Sequence, residues 1–280
     1  MTLEALQALP PLRERLAEHE LWANKGLGQH FLLDLNITRK IARLAGATSD
    51  GVVLEIGPGP GGLTQALLEA GANVIAIEKD ARFLPLLADL AQAAPEQLTV
   101  VQADALHADE LAMANGRTPV RIVANLPYNV GTPLLIKWLT GPLTPRSMTL
   151  MFQKEVAQRI VAPAGAEAYG RLAVICQALA KAEMVMDLPA RAFTPPPKVA
   201  SAVVHLEPKT DRPPDVLVRA LERVTREAFG QRRKMLKAGL KALGGAALCE
   251  AAGIDPQARA ETIEVEGFLK LAQTLLDQTA

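Results

Sequence analysis

A glycine-rich loop is the first segment of this chain whose residue types and spacing can do chemistry. Gly57, Gly59 and Gly62 satisfy the spacing G-x-G-x-x-G directly after a short apolar run. Such glycines let the backbone turn sharply and approach a nucleotide-like ligand closely. Pro58 and Pro60 remove two backbone N–H groups that a pyrophosphate would need, so a nucleoside cofactor without phosphate, such as S-adenosylmethionine, is favoured over a dinucleotide. The motif alone is not specific, and an NAD-dependent oxidoreductase stays an alternative.

Two acidic residues follow at the ends of the next apolar runs. Glu78 lies 21 positions after Gly57, the spacing at which a carboxylate accepts hydrogen bonds from both hydroxyls of a ribose. Asp104 ends the following run, where its carboxylate can accept a hydrogen bond from an adenine amino group. Each acid could instead cap the helix that follows it, which is a common use of Asp and Glu. Their order after the glycine loop favours a cofactor site, which also takes in the neighbouring Lys79 and Ala105.

The segment Asn125-Leu126-Pro127-Tyr128 follows the fourth apolar run and suits methylation of an amino group. The nitrogen of an adenine amine is a poor nucleophile because its lone pair is delocalised into the ring. The Asn125 side-chain oxygen and the Leu126 carbonyl can each accept a hydrogen bond from that amine, which favours a pyramidal nitrogen and stabilises its developing positive charge. Pro127 fixes the turn, and Tyr128 offers a face on which an extruded base can stack. The alternative is an ordinary Asn-x-Pro turn with a half-buried tyrosine.

Seven short apolar runs predict the strands that would position these residues. They cover 52–56, 73–78, 98–102, 120–125, 148–153, 182–187 and 202–206. Most runs are continuously apolar and are separated by segments of helix length, which predicts an α/β fold with a parallel sheet covered by helices on both faces. The glycine loop, the two acids and the Asn motif follow the first four of these strands in order.

A change of composition after residue 206 predicts a second domain. The segment EPKTDRPPD is charged and proline-rich, and the chain beyond it reads as several helices with glycine breaks. We predict a cofactor-binding methyltransferase domain over 1–208, with 1–22 as an N-terminal helical extension, and a small helical domain over 209–280. This division suits a chain of 280 residues, since single cores stop growing at roughly 250–300 residues.

The composition excludes several classes of protein. With 49% hydrophobic residues, 21% charged residues and two cysteines, the chain is not a disordered, fibrous or disulfide-scaffold protein. Cys176 and Cys249 lie far apart in apolar segments and read as reduced core thiols, and the four histidines lack metal-ligand spacing, so we expect no metal. The N-terminus lacks the layout of a signal peptide and no apolar run approaches the length of a membrane span, so we expect a cytoplasmic protein without a membrane contact.

Basic residues are concentrated in one part of this otherwise neutral chain. Eight Lys or Arg stand against two Glu between 219 and 241, whereas the whole chain has 30 basic and 30 acidic residues. Arg233, Lys237 and Lys241 recur at helical spacing beside a separate stripe of leucines, which predicts a helix with one packed face and one exposed face. A charge run often serves solubility alone, but this concentration favours a face that binds phosphates. The residues predicted for that face are Arg223, Arg226, Arg232, Arg233, Lys234, Lys237 and Lys241.

Eight segments from about residue 24 onward carry a resemblance to a known family. They are GLGQHFLLD, VLEIGPGPGGLT, IEKD, QADAL, NLPYNVGTPLLIKWL, MFQKEVAQRIVAPAGAEAYGRLAV, FTPPPKVASAVVHLEP and FGQRRKMLKAGLKAL. With them the chain resembles the bacterial small-subunit (16S) ribosomal RNA adenine N6,N6-dimethyltransferases. The resemblance implies a class I methyltransferase (Rossmann-like) fold whose seventh strand is antiparallel, a helical C-terminal domain and S-adenosylmethionine as cofactor. The implied reaction dimethylates two adjacent adenosines in a hairpin loop near the 3′ end of 16S rRNA, within the 30S subunit or its precursor, and we expect the enzyme to act as a monomer.

The resemblance also implies roles for single residues. Those that match the family's cofactor contacts by position are His30, Leu32, Gly57, Glu78, Asp104 and Asn125. The family commonly has Asn where this chain has His30. A histidine is bulkier and titratable, and it can donate a hydrogen bond to the methionine carboxylate of the cofactor. The neighbouring Gln29 is the alternative residue for this contact. Phe193 would close the target pocket opposite Tyr128, on a loop that three consecutive prolines keep stiff. On its residues alone, the same position suits a buried anchor of the loop.

Two functions besides the leading hypothesis stay open on the sequence. The protein could be a small-subunit assembly factor that binds the immature particle without turnover. It could also be an adenine N6-methyltransferase that acts on large-subunit rRNA or DNA, which shares the chemistry. Only the C-terminal resemblance separates that second alternative from dimethylation of small-subunit rRNA.

Overall fold

The computed structural model describes residues 2–23, 29–231 and 234–278, and within them seven strands form one mixed sheet. The strands are β1 (Phe31–Leu32), β2 (Val52–Ile56), β3 (Val74–Glu78), β4 (Leu98–Gln102), β5 (Val120–Asn125), β6 (Ser147–Gln153), β7 (Ala180–Leu188), β8 (Phe193–Thr194) and β9 (Ser201–Pro208). The sheet has the order β4-β3-β2-β5-β6-β9-β7, and β1 pairs with β8 apart from it. All seven predicted strands are confirmed, each to within two residues at either end.

The strands from β2 to β6 run parallel, as the alternation of strands and helices predicts. β9 runs antiparallel to β6, with Leu150 opposite Val204. The residue pattern alone predicted a parallel sheet, so β9 corrects that expectation and confirms the antiparallel seventh strand that the resemblance implied. β2 and β3 are buried along their whole length, which is typical of strands covered on both faces.

The helices complete the α/β pattern and include the predicted N-terminal extension. Within the described ranges they are α1 (Thr2–Gln7), α2 (Leu12–Glu18), α3 (Leu35–Leu44), α4 (Gly62–Glu69), α5 (Leu84–Ala93), α6 (Glu110–Ala114), α7 (Gly131–Thr140), α8 (Lys154–Val161), α9 (Arg171–Leu179), α10 (Asp215–Gly230), α11 (Leu236–Gly239), α12 (Ala246–Ala251) and α13 (Val265–Asp277). Arg15 of α2 is buried and donates a hydrogen bond to the Leu86 carbonyl of α5 at 2.5 Å. This contact attaches the extension to the helix that follows β3.

The parallel register brings the ends of four strands to one edge of the sheet. Ile56 of β2 lies beside Ile77 and Ala124 on the two neighbouring strands. Glu78 lies beside Gln102, the last residue of β4. Since side chains at these carboxyl ends and the loops after them are neighbours in space, the candidate site residues of the glycine loop, β3, β4 and β5 meet at this edge.

The described chain divides into two compact units that differ from the predicted division at one segment. The first unit contains Met1–Ala157 and Met184–Glu207, and the second contains Gln158–Glu183 and Pro208–Ala280. The last boundary agrees with the predicted one to within a residue, but the segment 158–183 belongs to the second unit. In that unit the Tyr169 hydroxyl donates to the Ile263 carbonyl at 2.8 Å, and its ring packs edge-on against Phe229. Contacts between residues so far apart in the sequence leave no local pattern, so the sequence did not assign 158–183 to the second unit. The separate functions predicted for the two domains stay predictions.

α10 carries the first part of the basic segment in the second unit. Its buried side includes Val218, Leu221 and Val224. Arg219, Arg223 and Arg226 are exposed, and their spacing of four and three residues places them on one face of the helix. α10 is therefore an amphipathic helix with arginines on its exposed face.

The continuous helix predicted through 233–243 is wrong. α11 covers only Leu236–Gly239, and a 3₁₀ turn follows at Lys241–Leu243. Gly239 has low helix propensity, and Gly244 and Gly245 adopt positive φ, so two short turns replace one helix. The predicted division into packed and exposed residues still holds for the described residues: Leu236, Leu240 and Leu243 are buried, and Lys237 and Lys241 are exposed, whereas Arg233 lies outside the described residues.

Three smaller findings concern cysteines, metals and membranes. Cys176 and Cys249 are free, buried thiols, as predicted. Among the described residues, no cluster of three or more His, Cys, Asp or Glu side chains is placed to hold a metal ion. None of the helices in the described ranges combines the length and the apolar character needed to cross a membrane.

Candidate active site

The glycine loop joins β2 to α4 through residues in the left-handed region. Gly57 has a φ of +65°, and Gly61, at the N-cap of α4, has a φ of +90°. A Cβ atom at Gly61 would lie 2.5 Å from Leu90 Cδ1, so glycine is required there. A Cβ atom at Gly57 would meet no atom of the described chain within 4 Å, because this residue faces an open cleft. The space beside Gly57 is therefore open to a ligand.

Glu78 ends β3 and is fixed against the glycine loop. Its Oε2 accepts a hydrogen bond from the Gly59 amide at 2.9 Å, and its Oε1 accepts one from the Asp80 amide at 2.7 Å. Burial raises the pKa of the Glu78 carboxyl group, and the two amides oppose this shift. The structure thus brings Gly59 and Glu78 together at the cleft.

Asp104 lies in the loop after β4, beside Lys79. Its Oδ2 accepts a hydrogen bond from Lys79 Nζ at 2.8 Å, and its Oδ1 accepts one from the Leu106 amide at 3.0 Å. The bond from Lys79 is the main reason that the pKa of Asp104 lies below its usual value. Asp104 therefore stabilises its own turn and lines the cleft together with Ala105, and it does not cap the following helix α6, whose N-cap is Asp109.

The Asn125–Tyr128 segment leaves β5 at the middle of this edge. Asn125 Nδ2 donates to the His30 carbonyl at 3.2 Å, so the amide is held in one orientation with its oxygen directed away from that carbonyl. The Tyr128 hydroxyl shares a 2.8 Å hydrogen bond with Ser201 Oγ, and Ser201 on β9 is fully buried. Residues distant in the sequence thus orient both the amide and the aromatic ring.

His30 contacts the same segment from the residues before β1. Its ring stacks on the Tyr128 ring with the centroids 5.7 Å apart and the planes inclined by 28°. Its Nδ1 donates to the Pro195 carbonyl at 2.8 Å, which leaves Nε2 of the neutral ring as an acceptor. His30 lines the cleft together with Gln29 and Leu32.

The candidate residues line two adjoining cavities that form one cleft. The larger cavity has a volume of about 670 Å³, within the range usual for small-molecule sites. Lys79, Asp104 and Ala105 line the larger cavity, whereas His30 and Asn125 line the other. Both cavities are lined by Gln29, Gly57, Glu78, Leu126 and Pro127. This arrangement suits an elongated ligand that reaches from the loop after β4 to the residues before β1.

Phe193 lies in the apolar core and does not line the cleft. β8 pairs Phe193 with Leu32 of β1, and Phe193 is 3% exposed. Its side chain belongs to the apolar core that also contains Met151 and Leu188, and it lines neither cavity of the cleft. This burial agrees with the alternative of a buried anchor of the proline-rich loop, and the stacking role opposite Tyr128 stays a prediction.

The predicted phosphate-binding residues that the structure describes are all exposed. Arg223 and Arg226 lie on α10, and Arg226 also forms a 3.5 Å ion pair with the adjacent Glu227. Lys234, Lys237 and Lys241 are exposed beyond α10. The predictions for Arg232 and Arg233 fall outside the described residues.

Glu55 is a cleft residue that sequence reasoning missed. It lies within β2, is 1% exposed and lines the smaller cavity with Asn125. Neither carboxylate oxygen has a hydrogen-bond partner among the described residues, and burial raises the pKa of the Glu55 carboxyl group to about 8. The nearby Thr64 hydroxyl lowers the pKa of Glu55 in part, although it forms no hydrogen bond of normal geometry with the carboxyl group. The available signal was a lone carboxylate inside an otherwise apolar strand that leads into the glycine loop.

Asp80 and Arg82 are two further residues of the larger cavity that the sequence did not reveal. The guanidinium group of Arg82 lowers the pKa of Asp80 to about 2. Gln29 Nε2 donates to Asp80 Oδ2 at 3.0 Å. Asp80 thus connects the segment before β1 to the end of β3, next to Glu78.

Relatives of known name cover nearly the whole chain. A family model described as ribosomal RNA adenine dimethylase matches residues 21–277. Ribosomal RNA small subunit methyltransferase A of Phenylobacterium zucineum (strain HLK1) is 66% identical over 272 residues, which are 97% of this chain and 95% of the relative. The protein of the same name from Sinorhizobium fredii (strain NBRC 101917 / NGR234) is 56% identical over 280 residues, with 99% and 94% covered.

Solved structures of two methyltransferases superpose on most of this chain. A dimethyladenosine transferase from Plasmodium falciparum superposes with a TM-score of 0.74 at 27% identity, covering 89% of this chain and 98% of that one. The 23S rRNA methyltransferase ErmE superposes with a TM-score of 0.66 at 26% identity, covering 88% and 99%. Together with the strand order and the cleft, these matches establish that the chain belongs to the ribosomal RNA adenine dimethylase family.

Proposed function

We propose that this protein is the enzyme that transfers methyl groups to N6 of two adjacent adenosines in a hairpin loop near the 3′ end of small-subunit (16S) rRNA, giving N6,N6-dimethyladenosine. The observation that carries the proposal is the oriented amide of Asn125 in a cleft that also contains Glu78. Two relatives at 66% and 56% identity are named methyltransferases of the small ribosomal subunit RNA. We further propose that the substrate is the rRNA within the 30S subunit or its precursor, and that the enzyme acts as a monomer in the cytoplasm during small-subunit maturation.

S-adenosylmethionine fits the residues that form the cleft. The open space at Gly57 lets a ligand lie against the backbone, and Pro58 and Pro60 leave the loop poor in N–H donors for a phosphate. The buried carboxylate of Glu78 suits two ribose hydroxyls. The residues that would hold the cofactor are Gln29, His30, Leu32, Gly57, Gly59, Glu78, Lys79, Asp104, Ala105 and Asn125. When bound, the cofactor supplies a methyl group on a positively charged sulfur, and we propose no metal.

The Asn125–Tyr128 segment would activate the target amine. Because Asn125 Nδ2 is engaged by the His30 carbonyl, Oδ1 is the atom that can accept from the adenine N6 amine. The Leu126 carbonyl provides a second acceptor, and the two acceptors stabilise the positive charge that develops on N6. The Tyr128 ring, held by Ser201, provides a surface on which the extruded base can stack. A strong base is not required in this scheme.

The test of the proposed function is methyl transfer to several acceptors in parallel. Labelled S-adenosylmethionine would be incubated with unmethylated small ribosomal subunits, deproteinised small-subunit RNA, large-subunit RNA and DNA, and the products analysed by nucleoside mass spectrometry. We expect N6,N6-dimethyladenosine with small-subunit acceptors alone. Label in large-subunit RNA or DNA would contradict the substrate, and binding to the subunit without any methylation would instead support a non-catalytic assembly factor.

The exposed arginines of α10 should contribute to RNA affinity through phosphate contacts. We expect the double variant Arg223→Gln with Arg226→Gln to weaken RNA binding at low salt and to reduce the slope of log K against log salt by about 1.5, since each phosphate contact adds about 0.7–0.9 to that slope. Fluorescence anisotropy with a small-subunit rRNA fragment at several salt concentrations measures this. The matched control replaces the exposed Lys209 and Lys270 by Gln, which removes the same charge elsewhere in the unit. Equal slopes for the two double variants would refute a phosphate-binding face on α10.

A further inference from the structure

Lys137 lies behind two walls of the larger cavity. One wall is the loop 103–109 between β4 and α6, which carries Asp104 and Ala105. The other wall is α7, where Leu134 lines the same cavity. Lys137 follows Leu134 by three residues, so the two side chains leave α7 from neighbouring positions one turn apart. The distance between the two walls determines the room available for a flat ring.

The Lys137 ammonium group is bonded to that loop and to α6. Its Nζ donates to the Ala105 carbonyl at 2.7 Å, to the Ala108 carbonyl at 2.7 Å and to Glu110 Oε1 at 2.9 Å. An ammonium group has three N–H donors, so this set uses all of them. Glu110 is 4% exposed, and its Oε1 also accepts a hydrogen bond from the indole of Trp138 at 3.0 Å. We call these three hydrogen bonds the Lys137 tether. One of its acceptors is a buried carboxylate that is itself hydrogen-bonded to Trp138.

We propose that Lys137 is a positioning residue for the cofactor, and that it sets the width of the slot that receives the purine ring. The proposal rests on the proposed cofactor site at Asp104 and Ala105. The Asp104 side chain does not hold the loop to α7, because its hydrogen bonds to described residues go to its own turn and to the exposed Lys79. α7 begins at Gly131, three residues after Tyr128, so the same tether relates the purine slot to the segment that would bind the target base.

Two variants separate a positioning role from a stabilising one. Lys137→Met removes the three donors and keeps a long apolar stem, but it leaves the buried Glu110 carboxylate without its ion-pair partner, which should lower the melting temperature. The double variant Lys137→Met with Glu110→Gln removes that unpaired charge and keeps an acceptor for Trp138. The matched control is Lys154→Met, which breaks the 2.9 Å ion pair with Asp187 at a position that lines neither cavity.

The measurements are equilibrium affinities for S-adenosylmethionine and adenosine by calorimetry, the melting temperature, and KM and kcat with small subunits. We expect Lys137→Met to weaken both affinities on the order of tenfold, because a displaced loop misplaces the groups that bind the ring. The KM for the cofactor should rise by the same factor, with kcat at saturating cofactor retained. The double variant should regain most of the melting temperature and keep the weak affinity, whereas Lys154→Met should bind like the wild type.

Two results would overturn the proposal. One is wild-type affinity for S-adenosylmethionine in Lys137→Met. The other is recovery of affinity together with the melting temperature in the double variant, because that would assign the whole effect to the unpaired charge of Glu110. A wild-type protein that binds neither probe would be a different failure: it would refute the proposed cofactor site itself, and this inference with it.

Discussion

We expect Asn125→Ala to lower kcat for adenine methylation by about 10²–10³-fold, the usual effect of removing one oriented group that stabilises a developing charge. The affinity for small subunits should be unchanged, and most of the affinity for S-adenosylmethionine should remain. The reason is that Asn125 is held at the cleft by the His30 carbonyl, whereas the groups that we propose for the ribose and the adenine are Glu78 and the loop with Asp104. Single-turnover kinetics with saturating cofactor measures the chemical step directly.

A second variant and a control distinguish loss of chemistry from loss of structure. Asn125→Asp keeps an oxygen of similar position but replaces the N–H donor by a carboxylate that would face the His30 carbonyl, so it should also be slow. Asn36→Ala removes the same side chain from an exposed position on α3 and should react like the wild type. An unchanged single-turnover rate in Asn125→Ala would exclude the assigned role of this residue, even if the enzyme methylated the expected adenosines.

The second large effect concerns the pH dependence of stability and Glu55. In the folded protein without cofactor, burial raises the pKa of this carboxyl group to about 8, whereas an exposed glutamate in the unfolded chain has a pKa of about 4.5. The folded state therefore binds the proton more tightly, and this contribution to stability is fully present below pH 4.5 and is lost as the pH rises towards 8. Between pH 6 and pH 9 the wild type should lose about 3 kcal/mol of unfolding free energy relative to Glu55→Gln.

Urea unfolding of both proteins at pH 6, 7, 8 and 9 tests this expectation. The difference in unfolding free energy should grow in favour of Glu55→Gln up to about pH 8 and then stay constant, because the carboxylate is then ionised in both states. Glu96→Gln serves as the control for the loss of a carboxyl group at an exposed position, and its profile should follow that of the wild type. A constant difference between wild type and Glu55→Gln across the range would show that water or a rearrangement solvates the Glu55 carboxylate.

The residues at the ends of the strands were predictable because they depend on local pattern and on a general property of parallel sheets. The continuous apolar runs identified all seven strands, and the carboxyl ends of parallel strands meet at one edge. Gly57, Glu78, Asp104 and Asn125 could therefore be assigned to one site from their order along the chain. The direction of β9 could not be predicted from the local pattern, because an apolar run looks the same in a parallel and in an antiparallel strand. The antiparallel direction was implied by the family resemblance instead.

The sequence by itself determined the seven strands, the glycine loop and the four strand-end residues of the cleft, because each follows from the period and order of neighbouring residues. Only the tertiary structure decided how distant segments meet. It stacked His30 on Tyr128, drew Phe193 into the core by pairing β8 with β1, and brought Lys137 to the Ala105 carbonyl. It likewise placed 158–183 in the second unit. Such contacts join residues tens of positions apart, and they arise from packing and from pairing of buried polar groups, which leave no periodic signal along the chain.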